Sequence, residues 1–405
     1  MPGNHGRRLV LVAALVYAAG CATPQPDFDL VFTGGSLIDG TGAEPRRADV
    51  GIKGDRIAAI GNLASRSSST TIDVAGKTIA PGFIDLLSRS GVTLLADGVD
   101  EINLRQGITT EILGGGSPAF WTNATADRDA LRVHGVTLDW SGLNGYFMKL
   151  AARGNALTVG TFAPMSLAAG PNSIATLEQW MHDGAFGILD DAHAGLADIQ
   201  AAAAVVGRND GVLVIPIDSP AFATDDALIA VGTQARRVLI TGGGGAAAPF
   251  TAADSVRRMV LASQRNIFVC AAVNPATAVD EMVMRELFRQ GGMMMATDSA
   301  ASGAFPRLLG QMTRDAHVME LREAIRRSTS LAASLLSLPN RGIVREKYFA
   351  DLVIFDERTI ADRATVDHPA DSPAGIDYVV SNGVVVMNPK GLTGARPGYR
   401  LTHGR

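Results

Sequence analysis

Acidic side chains and one histidine recur where the sequence reads as the end of a β-strand. Asp85 closes Gly82-Phe83-Ile84-Asp85, and Glu111 stands two residues before Leu113, where a strand reads as ending. Asp190, Asp191 and His193 follow Gly187-Ile188-Leu189, Asp218 follows Val214-Ile215-Pro216-Ile217, and Asp298 follows the apolar run 293–297. Side by side, such strand ends would converge on one face, where carboxylates and an imidazole could bind a divalent cation or move a proton. The pattern is loose. One histidine among scattered aspartates is a weak metal signature, and the plainer reading of Asp190, Asp191 and His193 is a solvated loop. Glu111 reads as pocket-facing or as structural. Asp298 reads as a proton-transfer base or as the cap of a turn or helix. Nucleophilic serine chemistry has no visible basis, because no hydroxyl–base arrangement and no Ser-x-x-Lys occurs. The run Gly242-Gly243-Gly244-Gly245 lacks the Lys and Ser/Thr of a phosphate loop.

The elements that would position these residues are legible. Residues 29–80 read as short strands punctuated by Gly34-Gly35, Asp39-Gly40 and Gly54-Asp55, a sign of antiparallel β structure. From Pro81 onward, apolar runs alternate with helical patterns such as 254–261 and 279–289, which predicts βα units and a parallel sheet. Strand ends fall near Asp85, Leu113, Phe162, Leu189, Ile217, Ile240, Val269 and Thr297. That is the number a closed barrel needs. The last helices occupy 319–338. β character then returns at 350–355 and 378–386, with Asn382-Gly383 as a hairpin turn. The expected fold is α/β: a (β/α)8 TIM barrel over residues 81–339 and a small β-sandwich built from 29–80 and 340–400.

The 405 residues are 47% apolar, enough for a sizeable core. A net charge of −4, no basic block and 5% aromatic residues argue against a nucleic-acid partner. The N-terminus stands apart. Arg7-Arg8, an apolar run over 9–19 and Ala18-Ala19-Gly20-Cys21 resemble a bacterial lipoprotein signal peptide over residues 1–21, followed by a linker at 22–28. The apolar run is too short to span a bilayer. The resemblance implies lipidation of Cys21 and a lipid-anchored place in the cell envelope. In a Gram-negative cell that place is the periplasmic face of the outer membrane, since residue 22 is Ala and not Asp. The alternative is an ordinary secretory signal with a chance cysteine. Cys270 is the other cysteine of the chain, so acylation of Cys21 leaves no pair for a disulfide.

Both flanks carry a further pattern. It comprises Gly34-Gly35-Ser36-Leu37-Ile38-Asp39-Gly40-Thr41-Gly42, Ile72-Asp73-Val74-Ala75-Gly76-Lys77 and Ala80-Pro81-Gly82-Phe83-Ile84-Asp85 near the start. Near the end it comprises Arg341-Gly342-Ile343-Val344, Ala350-Asp351-Leu352-Val353-Ile354-Phe355-Asp356 and Thr393-Gly394-Ala395-Arg396-Pro397-Gly398. The chain resembles the amidohydrolase superfamily, and within it the N-acyl-D-amino-acid deacylases (D-aminoacylases). The resemblance implies hydrolysis of non-peptide linear amide C–N bonds, with zinc as the metal and an Asp after the eighth strand moving the proton.

The ligand positions that this resemblance points to depart from the family pattern. In place of Asp-x-His-x-His stands Asp85-Leu86-Leu87-Ser88-Arg89. The second-strand position that often holds Cys reads Gly114-Gly115-Gly116-Ser117. The fifth-strand His falls at Pro216 and the sixth-strand His at Thr241 or Gly242. Asp298 alone keeps the pattern. The stretch between the seventh and eighth strands is also short. A metal lowers the pKa of bound water from 15.7 to about 7, worth roughly 12 kcal/mol of differential stabilisation. A general base alone supplies ~10²–10⁴-fold, or about 3–5 kcal/mol. No metal site is therefore expected. The chain reads as a catalytically impaired family member, a pseudoenzyme whose pocket takes a small acylated amino acid or peptide-like ligand. The alternative is an active hydrolase of altered mechanism that uses Asp298 with a site rebuilt from Glu111, Asp190, Asp191, His193 or Asp218.

Overall fold

A computed structural model describes residues 25–404 except 115–131, 133–134, 138, 169, 171, 192, 217–218, 220–223, 242–266, 273–292, 298–302, 366 and 369–370. Cys21, Asp218, Asp298 and the expected helices at 254–261 and 279–289 lie outside the described residues.

Seven strands precede Pro81 or end on it: β1 Phe28–Thr33, β2 Ser36–Leu37, β3 Arg46–Arg47, β4 Asp49–Lys53, β5 Arg56–Gly61, β6 Ser68–Asp73 and β7 Thr78–Pro81. Nine follow in the middle of the chain: β8 Phe83–Ser88, β9 Ile108–Leu113, β10 Thr158–Thr161, β11 Ala163–Pro164, β12 Gly187–Leu189, β13 Val212–Pro216, β14 Val238–Thr241, β15 Ile267–Ala272 and β16 Met293–Ala296. Four more close the chain: β17 Leu352–Phe355, β18 Ile376–Ser381, β19 Val384–Asn388 and β20 Gly391–Leu392.

The two chain ends share a sheet. Its order is β20-β19-β18-β17-β7-β2-β3, and the antiparallel pair of β7 and β17 sets Ile79 opposite Ile354 and Ala80 opposite Val353. A second sheet, β5-β4-β1-β6, packs near it, and Phe32, Val50, Ile52, Ile79, Leu352, Ile354 and Val380 form one buried cluster. Residues of both chain ends are buried in that one cluster, so each end covers apolar surface of the other. The hairpin of β18 and β19 turns on Asn382 (φ 46°) and Gly383 (φ 80°), the left-handed pair that its Asn-Gly sequence favours.

The middle strands pair in parallel throughout, in the orders β10-β9-β8 and β11-β12-β13-β14-β15-β16. Only Phe162 separates β10 from β11, so the chain supplies eight successive parallel strand positions. Their two faces do different work. Ile84, Leu86, Ile112, Phe162, Val212, Val214, Leu239 and Met294 cluster with one another across the strands. Phe83, Leu113, Val159, Ile188, Leu213, Ile215, Ile240, Met293 and Met295 instead join the helices. Near-continuous apolar strands are what burial on both faces demands, which explains Met293-Met294-Met295.

The helices turn an apolar stripe to that second face. In Leu196–Arg208 the buried residues Ile199, Ala202, Ala203 and Val206 recur at helical spacing. Helix Asp225–Ala235 starts on Thr224, whose hydroxyl accepts the Ala227 N–H at 3.2 Å. After β16 come helix Ala304–Arg307, a π-helical stretch Leu308–Asp315 and helices Leu321–Ser328 and Ser330–Leu335, the last two packed against β8.

Phe28, expected in the linker, begins β1: it pairs with Ser68 and is buried. The last paired strand of the shared sheet is β20. The residues after it still touch the sandwich, where Asn382 Nδ2 donates to the Pro397 carbonyl at 3.0 Å and Arg341 to the Tyr399 hydroxyl, and they also reach the helix ends.

Candidate functional site

The C-terminal ends of the parallel strands are where side chains from distant sequence meet. Asp85 in β8 is fully enclosed. Its Oδ1 accepts the Thr297 N–H at 3.0 Å and the Leu87 N–H at 3.2 Å, and its Oδ2 accepts the Thr297 hydroxyl. Among the described residues no backbone ladder joins β8 to β16; the Asp85 carboxylate links the two across that seam. Burial pushes its pKa up to about 6. The hydrogen bonds from Thr297 and Leu87 pull the other way, and the nearby charge of Asp100 adds to the rise.

Glu111 is equally enclosed. Its neighbour Ile112 packs with the strand-to-strand cluster, and Glu111 faces helix Glu101–Leu104 instead. One carboxyl oxygen accepts the Asn103 amide at 2.8 Å. The other takes the hydroxyls of Ser88, at 3.1 Å, and Ser90. Burial and then the charge of Asp100 hold its pKa well above the usual carboxylate range. Asp100 caps the same helix through the Asn103 N–H, and burial raises it to about 6. Glu111 therefore ties β9 to the residues at the end of β8 and to helix Glu101–Leu104. Tyr146 lies in the same neighbourhood, its hydroxyl donating to the Gly91 carbonyl at 2.8 Å. The sequence clue to this network is modest: Asp100-x-x-Asn103 at a helix start and two serines flanking Arg89.

Leu87 occupies the position where the resemblance expects the first histidine. Its side chain is 6% exposed and belongs to the cluster with Leu86, Phe162, Leu189 and Met294. Arg89 is exposed. Pro216 and Thr241 end neighbouring strands in register with each other, and both are half-buried. The residues after β12 take different partners. Asp190 is buried, and its Oδ1 accepts the Ala194 N–H at 2.9 Å. Asp191 accepts the Ser166 N–H at 2.9 Å and the Ser166 hydroxyl at 2.5 Å. His193 is exposed, at a left-handed φ of 50°. Both aspartates thus fasten loops, which a polar turn after a strand requires. Among the described residues no group of three His, Cys, Asp or Glu side chains is placed to hold a metal ion.

A family model described as "Amidohydrolase family" matches residues 269–387. A D-aminoacylase of Alcaligenes xylosoxydans xylosoxydans is 29% identical, over 93% of this chain and 98% of its own length. Over nearly its whole length the chain is similar to the amidohydrolase superfamily and, within it, to the D-aminoacylases, and its α/β architecture agrees. A D-aminoacylase structure described by its binuclear metal centre superposes with a TM-score of 0.77 at 24% identity, covering 93% of this chain and all of that one. An N-acyl-D-glutamate deacylase of Bordetella bronchiseptica, complexed with zinc and a phosphonate inhibitor, gives 0.76 at 22%, covering 93% and 99%. Beside the Alcaligenes enzyme, this chain is the shorter of the two. Its alignment with the Alcaligenes enzyme runs over 475 positions against a chain of 405 residues, so at least 70 positions of the relative have no counterpart here.

Proposed function

We propose that this protein keeps the deacylase scaffold as a binding mouth for a small N-acylated amino acid or peptide-like molecule and does not carry out metal-dependent hydrolysis. The eight parallel strands close as one barrel in this reading, and the mouth lies at their C-terminal ends. The observation that carries it is Leu87. A zinc ligand must offer an imidazole, thiolate or carboxylate, whereas this side chain has no donor atom and is buried among Leu86, Phe162 and Leu189. Arg89, Pro216 and either Thr241 or Gly242 stand at the other histidine positions and supply no imidazole, and the second-strand turn Gly114-Gly115-Gly116-Ser117 supplies no thiolate. This donor set does not fit the family metal. Asp298 by itself offers a proton acceptor but nothing to polarise an amide carbonyl.

One preparation tests this. Elemental analysis is expected to show no stoichiometric zinc, and N-acyl-D-amino acids are expected to be hydrolysed no faster than in a protein-free blank. The same compounds should bind saturably in calorimetry. Stoichiometric zinc that disappears in Asp298→Ala or His193→Ala, together with turnover, would establish the altered-mechanism hydrolase instead. The reading also places the protein at a membrane through acylated Cys21. The acyl mass on the N-terminal peptide checks that, and Cys21→Ser should lack it.

A further inference from the structure

We infer that residues 394–404 form a strap that locks the helix layer to the sandwich by closing three successive helix C-termini. An α-helix leaves its last carbonyls without partners, and the negative end of its dipole favours a cation or imidazole there. The strap meets that need three times. Arg396 donates from Nη1 to the Arg153 carbonyl at 2.8 Å, where helix Gly142–Arg153 ends, and from Nη2 to the Asp97 carbonyl at 2.7 Å. Arg400 donates to the carbonyl of Asp183, the cap of helix Ser173–His182, and to the Asn144 side chain at 2.7 Å. His403 donates from Nε2 to the carbonyl of Asn209, the cap of helix Leu196–Arg208, at 2.8 Å, and its ring lies edge-on to Phe186.

The spacing matches the job. Extended chain advances about 3.3 Å per residue, so steps of four and three residues cover roughly 13 and 10 Å. Packed helices sit about 8–10 Å apart. The backbone between the side chains is also held: Gly398 N–H donates to Asn155 O at 2.8 Å, Val159 N–H to Tyr399 O at 2.9 Å, Leu401 N–H to Val159 O at 2.7 Å, and His403 N–H to Gly184 O at 3.0 Å. Two glycines make room for it. A Cβ on Gly398 would run into the Leu157 carbonyl, and one on Gly184 would crowd Thr402 at 2.9 Å. At its other end the strap continues from β20, so the edge of the sandwich sheet and the three helices become one mechanical unit.

Hydrogen exchange followed by mass spectrometry on the full chain tests this. In the triple variant Arg396→Ala, Arg400→Ala, His403→Ala, exchange is expected to rise roughly tenfold or more in the last turns of the three helices. Strands β1 to β7 should keep their protection. Gly398→Ala, which blocks the crossing without touching any capping side chain, should raise exchange at the same three helix ends and also around 155–159. Should the triple variant not fold, each single substitution should loosen its own helix end. Exchange that rises equally across the sandwich, or does not rise at the helix ends, overturns the strap.

Discussion

Asp85→Asn is expected to be more stable than the natural protein near neutral pH and to lose that advantage in mild acid. Asp85 has a folded-state pKa of about 6 against 3.8 for an ordinary Asp. The folded protein therefore binds this proton more tightly than the unfolded chain does. The resulting stabilisation is fully present below about pH 4 and is lost as the pH rises through about 6. Above that, keeping the enclosed carboxylate charged costs on the order of 3 kcal/mol at most. An asparagine avoids the charge and can keep the bonds: its oxygen accepts the N–H groups of Thr297 and Leu87, and its NH₂ donates to the Thr297 hydroxyl. Urea unfolding at about pH 7.5 and 4.5 should show the difference shrinking toward zero at the lower pH. Asp85→Ala should be less stable at both, by roughly 2–4 kcal/mol, because it strands two buried N–H donors. If Asn and Ala behave alike, the link from β8 to Thr297 is not made by Asp85.

Arg341→Ala should have the second large effect. The guanidinium is buried beside Asp351 and donates to the Asn382 side chain at 2.7 Å and to the Tyr399 hydroxyl. It also stacks 3.9 Å from the Phe349 ring centre. Asp351 accepts the Asn382 N–H at 2.8 Å, so the hairpin turn depends on the same pair. Removing the arginine leaves Asp351 buried without its cation, a loss of about 3–5 kcal/mol, or on the order of 5–10 °C in Tm. Arg341→Lys should recover little, since an ammonium lacks the planar fork that stacks and bonds at once. A melting temperature within about 1 °C of the natural protein for Arg341→Ala would contradict this account.

Local pattern in the sequence determines a good deal about this protein. Alternating apolar runs place strand ends near Asp85, Leu113, Leu189, Ile240 and Thr297, and β8, β9, β12, β14 and β16 end within three residues of those positions. Asn382-Gly383 specifies its own turn, because few other residue pairs tolerate two left-handed conformations. The substitution of Leu87 and Arg89 for expected histidines is likewise readable without coordinates.

Side-chain direction is what only the tertiary structure decided. Glu111 and Ile112 are adjacent in one strand and equally buried, yet strand pleating sends one to a polar network with Ser88, Ser90 and Asn103 and the other to the apolar strand cluster. Asp85 and Thr297 are 212 residues apart, and nothing local to either announces the bond between them. Arg396 belongs to a recognisable sequence pattern, but nothing local shows that Arg396, Arg400 and His403 lie over the ends of three helices. Burial and long-range pairing depend on which surfaces the whole chain removes from water together, and a sequence window holds only one side of each such contact.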